Sequence, residues 1–308
     1  MTSLLIGVDS GGTHTRVLVA DQDGNEVSRA EGPGSAIHPG SASHSASTIR
    51  ETVRRACAGH PEPVRALCVG AAGAGRDEER DTLASALEAD RLAASVVVVT
   101  DAEIALEDAF GAGPGVLLVS GTGSIAWGKG PTGLLARCGG WGPVIGDEGS
   151  GSWVGKKALG IATASADGRE PETALTAAII AAVHVSSVEG LVPWAANATP
   201  ADLAGLAPTV LEVAAMGDLR ANSLVTLAVE ELALHVRTVA RHLFTDERAA
   251  FRLALHGGLL AKGSLLRRRV EQRLKAMTPG ATILAEPVVP ERGAVRLAMR
   301  EAGVATGA

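Results

Sequence analysis

The opening of the chain alternates apolar runs with short polar turns, which predicts strands joined by hairpins. Leu4 to Asp9 and Val17 to Ala20 are apolar runs, and the glycine-rich and hydroxyl-rich turn Ser10 to Thr15 separates them. The turn Asp21 to Asn25 has a strong hairpin composition, and a more polar run near Glu26 to Ala30 follows it. We therefore predict a three-stranded antiparallel meander with a polar edge strand.

Helix and strand patterns alternate after this meander. Two prolines mark Gly32 to Gly40 as a loop, and Ser95 to Thr100 is a continuous apolar run of the kind found in strands buried on both faces. The predicted elements after the loop are a helix that begins near Ser47 or Thr48 and ends near Ala58, a strand over Val64 to Val69, a helix over Asp77 to Ala89, the strand Ser95 to Thr100 and a helix over Ala102 to Phe110.

The second half of the chain repeats this order of elements. A buried strand from Val116 again runs into a glycine and hydroxyl turn, Ser120 to Ser124, and a further strand, Ile125 to Gly128. Two copies of one order, each starting with the same kind of hairpin, predict an internal duplication whose halves enclose a cleft facing both turns. The later elements are predicted, after a long helical region, at Leu134 to Arg137, Arg252 to Leu255, Ser264 to Ala276, Thr282 to Ala285 and from Arg292 onward.

The two glycine turns are candidate anion sites. Glycines let several backbone N–H groups point to one concave surface, which suits a phosphate, although an ordinary hairpin connection has a similar composition. The presence of two such turns favours anion binding. A dinucleotide-binding fold is disfavoured, because its glycine turn opens a helix, whereas Thr15 to Ala20 has the pattern of a strand.

The composition is that of a globular protein and excludes several classes of partner. The 308 residues are 46% hydrophobic and carry a net charge of -6, and the basic triplet Arg267 to Arg269 lies in a helical pattern, so we expect a solvated helix face and no nucleic-acid site. No apolar segment approaches the roughly 20 residues of a membrane span. Three cysteines, Cys57, Cys68 and Cys138, lack metal or disulfide spacing, and their odd number favours a reducing, cytoplasmic location.

Four segments together resemble the signature of a known family. They are DSGGTHTR at Asp9 to Arg16, SGTGS at Ser120 to Ser124, GGWGPVIGDEGSGSWVG at Gly139 to Gly155 and HGGLLAKGSLL at His256 to Leu266. They are similar to segments of the N-acetylglucosamine kinase branch of the BadF/BadG/BcrA/BcrD ATPase family, within the sugar kinase, Hsp70 and actin superfamily. The resemblance spans Leu5 to about Leu297, and GGWG followed by GDEGS is its most specific part.

The resemblance implies an α/β fold that is a duplicated actin-like, or ribonuclease H-like, ATPase fold, with two lobes and a central nucleotide and sugar cleft. We expect one lobe over residues 1–108, with a C-terminal helix over 291–308 as a candidate to pack back on it. The other lobe, with a helical insertion, is expected over residues 109–290. The implied activity is transfer of the γ-phosphoryl group of MgATP to an amino sugar, at the 6-hydroxyl of N-acetylglucosamine.

This activity assigns roles to the glycine turns. Phosphoryl transfer requires groups that neutralise the phosphates, a metal ion and a base. Asp9, at the end of its strand, is the candidate ligand of Mg²⁺, through water. The residues expected to bind ATP are Ser10, Gly11, Gly12 and Thr13 in the first turn, Gly121, Thr122, Gly123 and Ser124 in the second, and Gly257 and Gly258 at the adenosine side.

Asp101 is the candidate catalytic base and also contacts the sugar in this interpretation. It follows the end of an apolar strand, where ligands gather in open α/β sheets, and its carboxylate could take the proton of a sugar hydroxyl. In the family that the chain resembles, the aspartate of the matching TDA segment does this. The alternative is that Asp101 caps the helix that begins at Ala102.

The segment Gly139 to Gly155 is the expected sugar-binding segment, with Gly140, Trp141 and Asp147 as its contacts. The alternatives are that Trp141 belongs to the core and that Asp147 lies in a solvated acidic turn. The loop Gly32 to Gly40 departs from the family pattern, because it lacks the asparagine that reads the sugar in eukaryotic members, and Ser35 or His38 is the candidate substitute. The sugar therefore stays open among N-acetylglucosamine, glucosamine and a muropeptide sugar.

Two other functions, an ATPase activator and a non-catalytic sugar sensor, agree less well with the sequence. ATPase activators of 2-hydroxyacyl-CoA dehydratases hold an iron–sulfur cluster between two subunits, but the three cysteines here do not form such a ligand set. A non-catalytic sugar sensor would show decayed phosphate loops, whereas both turns look intact. The expected partners are ATP and a small amino sugar, and the sequence leaves the oligomeric state open, a homodimer included.

Overall fold

The computed structural model describes residues 3–244 and 249–304. The chain forms two compact units, which we call unit 1 (Met1–Gly113 and Val288–Ala308) and unit 2 (Pro114–Pro287). None of the helices in the described part of the chain has the length and apolar character needed to cross a membrane.

The first part of the chain contains five strands and three helices. The strands are β1 (Leu4–Ser10), β2 (His14–Ala20), β3 (Glu26–Pro33), β4 (Val64–Ala71) and β5 (Ser95–Thr100), and the helices are α1 (Ala42–Ala56), α2 (Asp77–Ala89) and α3 (Asp101–Phe110).

The remaining elements include a block of six consecutive helices. In chain order they are β6 (Gly115–Ser120), β7 (Ser124–Lys129), β8 (Leu135–Gly139), α4 (Gly151–Ala166), α5 (Ala174–Ala182), α6 (Leu191–Asn197), α7 (Pro200–Ala204), α8 (Ala207–Ala215), α9 (Leu219–Leu243), β9 (Phe251–His256), a 3₁₀ turn (Gly258–Leu260), α10 (Leu265–Met277), β10 (Ala281–Ile283) and α11 (Pro290–Glu301).

Each unit contains one sheet, and the two sheets have the same topology. Unit 1 has the strand order β3-β2-β1-β4-β5, with β1, β2 and β3 antiparallel and β4 and β5 parallel to β1. Unit 2 has the order β8-β7-β6-β9-β10 with the same directions. The predicted meander and the predicted internal duplication are therefore confirmed.

Helix α1 begins earlier than the sequence predicted. Its first residue is Ala42 and its N-cap position is Ser41, whereas the prediction placed the start at Ser47 or Thr48. The start was missed because the buried face of the first turns of this helix consists of small and hydroxyl residues, which give no apolar pattern in the sequence. The buried residues of α1 are Ala42, Ser45, Ala46, Ile49, Thr52, Val53 and Ala56.

Unit 2 differs from unit 1 mainly by its helical insertion. Six helices, α4 to α9, stand between β8 and β9, at the place where unit 1 has α1 alone. Helix α9 is 25 residues long and buries one face, from Ala221 to Leu243, in the core of this unit. The insertion therefore gives unit 2 a larger apolar core than the sheet alone could provide.

The basic triplet on α10 is only partly solvated. The Arg267 side chain is largely buried and donates a hydrogen bond to Glu271 at 2.7 Å, and Arg269 donates one to the side-chain oxygen of Asn222. The expectation of a solvated face was wrong for these two arginines, because Arg267 also donates to the carbonyl of Leu260 at 3.0 Å and Arg269 contacts α9, so both tie α10 to its surroundings.

The sheet of unit 1 is covered on both faces. Helices α1 and α2 pack against one face, and α3 and α11 pack against the other. The contact between α3 and α11 is close, because a Cβ atom at Gly293 would lie 1.9 Å from the carbonyl oxygen of Ile104. Helix α11, which follows unit 2 in the sequence, therefore completes the core of unit 1.

Two buried carboxylates on α3 hold α11 in this position. Asp108 accepts hydrogen bonds from Nε of Arg292 at 2.5 Å and from the N–H of Val289 at 2.7 Å. Glu107 accepts two hydrogen bonds from the guanidinium of Arg300, at 2.7 and 2.6 Å. Paired contacts of this kind add direction as well as energy to the apolar packing.

We predict that Asp108→Ala destabilises the protein by about 2 to 3 kcal/mol, because it leaves a buried N–H group and an arginine without their acceptor. Urea unfolding followed by circular dichroism measures this change. Asp81→Ala is the matched control, since Asp81 is exposed and its nearest arginine contact is 3.7 Å. Equal midpoints for the two variants would contradict the anchoring role of Asp108.

Candidate active site

The first glycine turn lies between β1 and β2 and is open to solvent. The N–H of Gly11 donates to the carbonyl of His14 at 3.0 Å, and Gly12 and Thr13 are exposed at the tip. Within the described residues, no group accepts a hydrogen bond from the N–H of Gly12 or Thr13. The turn therefore presents two free backbone donors, which an anion could use.

Three buried hydroxyls support this turn from below. The Ser35 hydroxyl lies 2.7 Å from the Ser10 hydroxyl and 2.6 Å from the Thr15 hydroxyl. The N–H of Ser35 also donates to the carbonyl of Gly11 at 3.0 Å. Ser35 is 3% exposed, so the structure buries it beneath the first glycine turn, where its hydroxyl contacts those of Ser10 and Thr15.

Asp9 is the last residue but one of β1, and its carboxylate is crowded by other acids. The pKa of Asp9 is raised to about 7, first by burial and then by the negative charges of Asp101 and Glu291, while Arg16 lowers it. The guanidinium of Arg16 is 3.8 Å from the carboxylate. Without a cation, Asp9 therefore holds a proton more readily than an ordinary aspartate.

Asp101 is the first residue of α3, and it is not the residue that caps this helix. Thr100 is the N-cap: its hydroxyl accepts from the N–H of Glu103, and the Glu103 carboxylate accepts in turn from the N–H of Thr100. The capping alternative for Asp101 is therefore wrong. The capping box leaves the Asp101 carboxylate available for another role.

Asp101 is accessible to solvent, although the surrounding protein partly desolvates its carboxyl group. The residue is exposed, yet the protein around its carboxyl raises the pKa by desolvation, an effect that hydrogen bonds from the N–H groups of Ala102 and Asp101 oppose. Water and a substrate can reach such a carboxylate, although it is hydrated less well than one on a convex surface. A carboxylate in this situation is a stronger base than usual.

The second glycine turn lies between β6 and β7 and is backed by the start of α4. The N–H groups of Gly151 and Ser152 donate to the carbonyls of Gly121 and Thr122, at 2.8 and 3.2 Å. Within the turn, the N–H of Gly121 donates to the carbonyl of Gly123 at 2.9 Å. The carbonyl oxygens of Gly121 and Thr122 therefore point to the helix.

Two hydroxyls of the second turn also attach it to the segment that precedes α4. Ser120 donates to the carbonyl of Gly149 at 2.9 Å, and Ser124 donates to the carbonyl of Glu148 at 2.7 Å. Both serines are buried. The SGTGS and GDEGS motifs, distant in the sequence, therefore form one packed structure.

Asp147 lies inside this packed structure. It is 7% exposed and adopts a left-handed backbone conformation, with φ of 58°. Its carboxylate accepts from the N–H of Gly142 at 3.1 Å and from the backbone of Ser124, and a Cβ atom at Gly123 would lie 2.8 Å from it. The expectation of a solvated acidic turn was wrong for Asp147, and burial raises the pKa of its carboxyl.

Trp141 is displayed on the surface of unit 2. It is 63% exposed, so the alternative of a core tryptophan was wrong. Gly140 precedes it with φ of 70°, and the N–H of Gly140 donates to the carbonyl of Ser124 at 2.9 Å. The guanidinium of Arg137 lies over the indole ring, 4.3 Å from its centroid.

Gly257 lies against the end of β6. Its φ is 100°, and a Cβ atom there would lie 2.3 Å from the carbonyl oxygen of Ser120, so no other residue fits. Gly258 begins the short 3₁₀ turn, and the N–H of Leu260 donates to the carbonyl of Gly257 at 3.0 Å. This glycine pair therefore lies beside the second turn within unit 2.

Few side chains in the described residues are placed to coordinate a metal ion. In residues 3–244 and 249–304, no group of three or more His, Cys, Asp or Glu side chains is placed to hold a metal. Asp9 offers the hard oxygen ligands that Mg²⁺ prefers, and a cation there would relieve the repulsion between Asp9 and Asp101. The residues therefore fit a magnesium ion that keeps most of its ligands from water and phosphate.

The structure adds a residue that the sequence did not indicate. His235, on α9, is 6% exposed and lies against Gly139, where a Cβ atom would be 2.9 Å from its ring. Its Nε2 is 3.9 Å from the Glu148 carboxylate, and burial lowers its pKa. No motif could reveal this contact, because His235 lies almost a hundred residues beyond Gly139 in an otherwise apolar helix face.

Comparison with known proteins gives one consistent result. The sequence model of the BadF/BadG/BcrA/BcrD ATPase family matches residues 6–298. The N-acetylmuramic acid/N-acetylglucosamine kinase of Clostridium acetobutylicum is 30% identical, over 96% of this chain and 98% of the relative. The N-acetyl-D-glucosamine kinase of Dictyostelium discoideum is 28% identical over the same shares of the two chains. A solved candidate N-acetylglucosamine kinase from Chromobacterium violaceum is 30% identical, with a TM-score of 0.78 over 96% of this chain and 98% of that one.

We predict that metal-free protein loses stability as the pH rises from about 4 to about 7, in part because of Asp9. Over this range the folded protein keeps a proton on Asp9 that the unfolded chain, with a pKa of 3.8, has lost. Asp9→Asn removes this contribution, so its melting temperature should fall by several degrees less between these pH values. The control is Asp23→Asn in the exposed hairpin turn, and a decline as steep in Asp9→Asn as in the unmodified protein would contradict the prediction.

Proposed function

Because the chain belongs to the BadF/BadG/BcrA/BcrD ATPase family, we propose that it is an ATP-dependent amino-sugar kinase that phosphorylates the 6-hydroxyl of N-acetylglucosamine. The names of its relatives support this substrate class. The observation that carries the proposal is the repetition of a glycine and hydroxyl turn at the first hairpin of both sheets. A cytoplasmic location agrees with the use of ATP.

The glycine turns are proposed to bind the nucleotide. In unit 1, the N–H groups of Gly12 and Thr13 are assigned to phosphate oxygens, with Ser10 as their buried support. The N–H of Gly11, also expected to bind phosphate, instead donates to the carbonyl of His14 within the turn. In unit 2, the turn Gly121 to Ser124 is assigned to phosphate, and Gly257 with Gly258 to the adenosine side.

Asp9 is proposed to hold Mg²⁺ through water molecules. The ion, when bound, neutralises charge that develops on the phosphates during transfer. The contribution of the protein is a carboxylate held at the end of β1 with an arginine, Arg16, beside it. A divalent cation also favours the ionised form of Asp9, whose pKa would otherwise be near 7.

Asp101 is proposed to orient the acceptor hydroxyl and to take its proton as the bond to phosphorus forms. Its position as the first residue of α3 supports this, because Thr100 and Glu103 form the capping box without using its carboxylate. Desolvation makes this carboxylate more basic. The proton would therefore move to a group already in contact with the sugar.

Four residues are proposed to serve sugar binding. Gly140 and the exposed Trp141 are suited to direct contact, since an indole face can pack on the apolar face of a pyranose. Asp147 is buried and accepts from the N–H of Gly142, so its proposed contribution is to fix the segment that carries Trp141. The Ser35 hydroxyl is buried against those of Ser10 and Thr15, so its proposed contribution is to hold its own loop in place. Glucosamine and N-acetylmuramic acid are the alternative acceptors within the same class.

We predict that Asp101→Asn lowers kcat by at least about 100-fold, because it removes the proton acceptor, while nucleotide binding changes little. A coupled ADP-release assay with N-acetylglucosamine measures the rate, and calorimetry measures nucleotide binding. Asp77→Asn is the matched control, because Asp77 is likewise the first residue of its helix. If Asp101→Asn kept more than about a tenth of the rate, the base would have to be another group.

We predict that Asp147→Asn raises the KM for the sugar about tenfold, because the charged acceptor of the Gly142 N–H is lost. Asparagine tolerates the left-handed conformation, so the backbone should persist, whereas Asp147→Ala adds strain. Steady-state kinetics at saturating ATP test this, with Asp167→Asn on the exposed surface of unit 2 as control. An unchanged KM in Asp147→Asn would remove Asp147 from sugar binding.

A further inference from the structure

Helix α9 packs against both ends of the loop that carries the proposed sugar contacts, which we call the sugar loop (Gly139 to Gly149). Its terminal glycines have left-handed backbones, with φ of 78° and 80°. A Cβ atom at Gly149 would lie 2.6 Å from Cγ of Leu232, and one at Gly139 would lie 2.9 Å from the ring of His235. Both helix residues belong to the buried face of α9, so this face fixes the two ends of the loop.

His235 differs from the rest of this face because it is polar. Among the described residues of α9, it is the only buried one with a polar side chain. Its Nδ1 atom is buried and has no hydrogen-bond partner within residues 3–244 and 249–304. A buried polar atom without a partner destabilises the folded state, and an apolar side chain would avoid that cost. Packing alone therefore does not explain a histidine at this position.

The other ring nitrogen of His235 faces Glu148 in the sugar loop. Nε2 lies 3.9 Å from the Glu148 carboxylate. Burial lowers the pKa of His235, so the ring is neutral at neutral pH and carries one N–H, which the nearby carboxylate favours at Nε2. Glu231, on the same helix, has its pKa raised by burial and then by the charge of Glu148. The N–H of His235 therefore offsets repulsion between these two carboxylates.

Glu148 is connected to the second glycine turn and to the start of the sugar loop. Its carbonyl accepts from the Ser124 hydroxyl at 2.7 Å, and the carbonyl of Ser124 accepts from the N–H of Gly140 at 2.9 Å. A group that holds Glu148 therefore also restrains the backbone beside Trp141. The 3.9 Å contact is longer than a hydrogen bond, which leaves room for it to shorten when a sugar orders the loop.

We propose that His235 is a positioning residue for the amino sugar, whose Nε2–H holds Glu148 and thereby the loop that carries Gly140 and Trp141. This inference rests on the proposed kinase function. The histidine acts through the loop and not on the reacting atoms, so its effect falls on sugar affinity and not on phosphoryl transfer. The unpaired Nδ1 is a loss of stability that the fold tolerates for this contact.

The test separates sugar affinity from stability. In His235→Leu, which fills a similar space without an N–H, the KM for N-acetylglucosamine should rise about tenfold, while kcat and the KM for ATP stay within about twofold. Its melting temperature should not fall, because the unpaired Nδ1 is removed as well. His235→Gln, whose amide nitrogen reaches close to the Nε2 position, should restore most of the sugar affinity. His242→Leu is the matched control, an exposed histidine on the same helix.

A double variant tests whether His235 acts through Glu148. When His235→Leu is combined with Glu148→Gln, the sugar KM should rise little beyond the larger of the two single effects, whereas two effects that multiply would overturn the inference.

Three further outcomes would overturn the inference and leave the proposed function standing. The first is an unchanged sugar KM in His235→Leu, and the second is a glutamine variant no better than the leucine variant. The third is a lower melting temperature accompanied by equal losses for sugar and ATP, which would indicate a general structural role. Absence of phosphorylation of every amino sugar by the unmodified protein would overturn both the inference and the proposed function.

Discussion

Both glycine turns depend on polar side chains that hydrogen bond to the backbone beneath them. A turn that keeps free N–H groups for an anion cannot use those groups to stabilise itself, so the stabilisation must come from elsewhere. Unit 1 uses three hydroxyls, those of Ser10, Thr15 and Ser35. Unit 2 uses the hydroxyls of Ser120 and Ser124, together with the Asp147 carboxylate and the N-terminal N–H groups of α4. Both units therefore support their turn with hydroxyls, and unit 2 adds a carboxylate and the start of a helix.

A second feature shared by the site residues of unit 1 is negative charge. Asp9, Asp101 and Glu291 come from three elements, β1, α3 and α11, and their charges act on one another through a partly buried region. Arg16 and Arg29 offset only part of this charge, at 3.8 Å from Asp9 and 2.7 Å from Glu291. An arrangement of this kind is costly in the absence of a cation and favourable in its presence. A cation bound at this end of the sheet would therefore stabilise the folded protein.

Local patterns were sufficient to predict the strands and several helices. The limits of β5 and α2 agree with the apolar run and the helical periodicity that predicted them, and the repeated hairpins predicted the duplication. The start of α1 was missed because small and hydroxyl residues form its buried face. The buried positions of Asp147 and Ser35, and the contact of His235 with Gly139, depend on packing between segments far apart in the chain. The type of a residue alone does not show whether its side chain is buried or which distant segment it contacts.

Helix α11 has a consequence for how the molecule is made. It covers the face of β1 and β4 that carries Leu5 and Cys68, and it is anchored to α3 through Asp108 and Arg292. Its residues are nevertheless separated from the rest of unit 1 by all of Pro114–Pro287. The ribosome must therefore synthesise all of Pro114–Pro287 and then α11 before that apolar face is covered. Until then the nascent first part of unit 1 remains an incomplete folding unit, dependent on the arrival of α11.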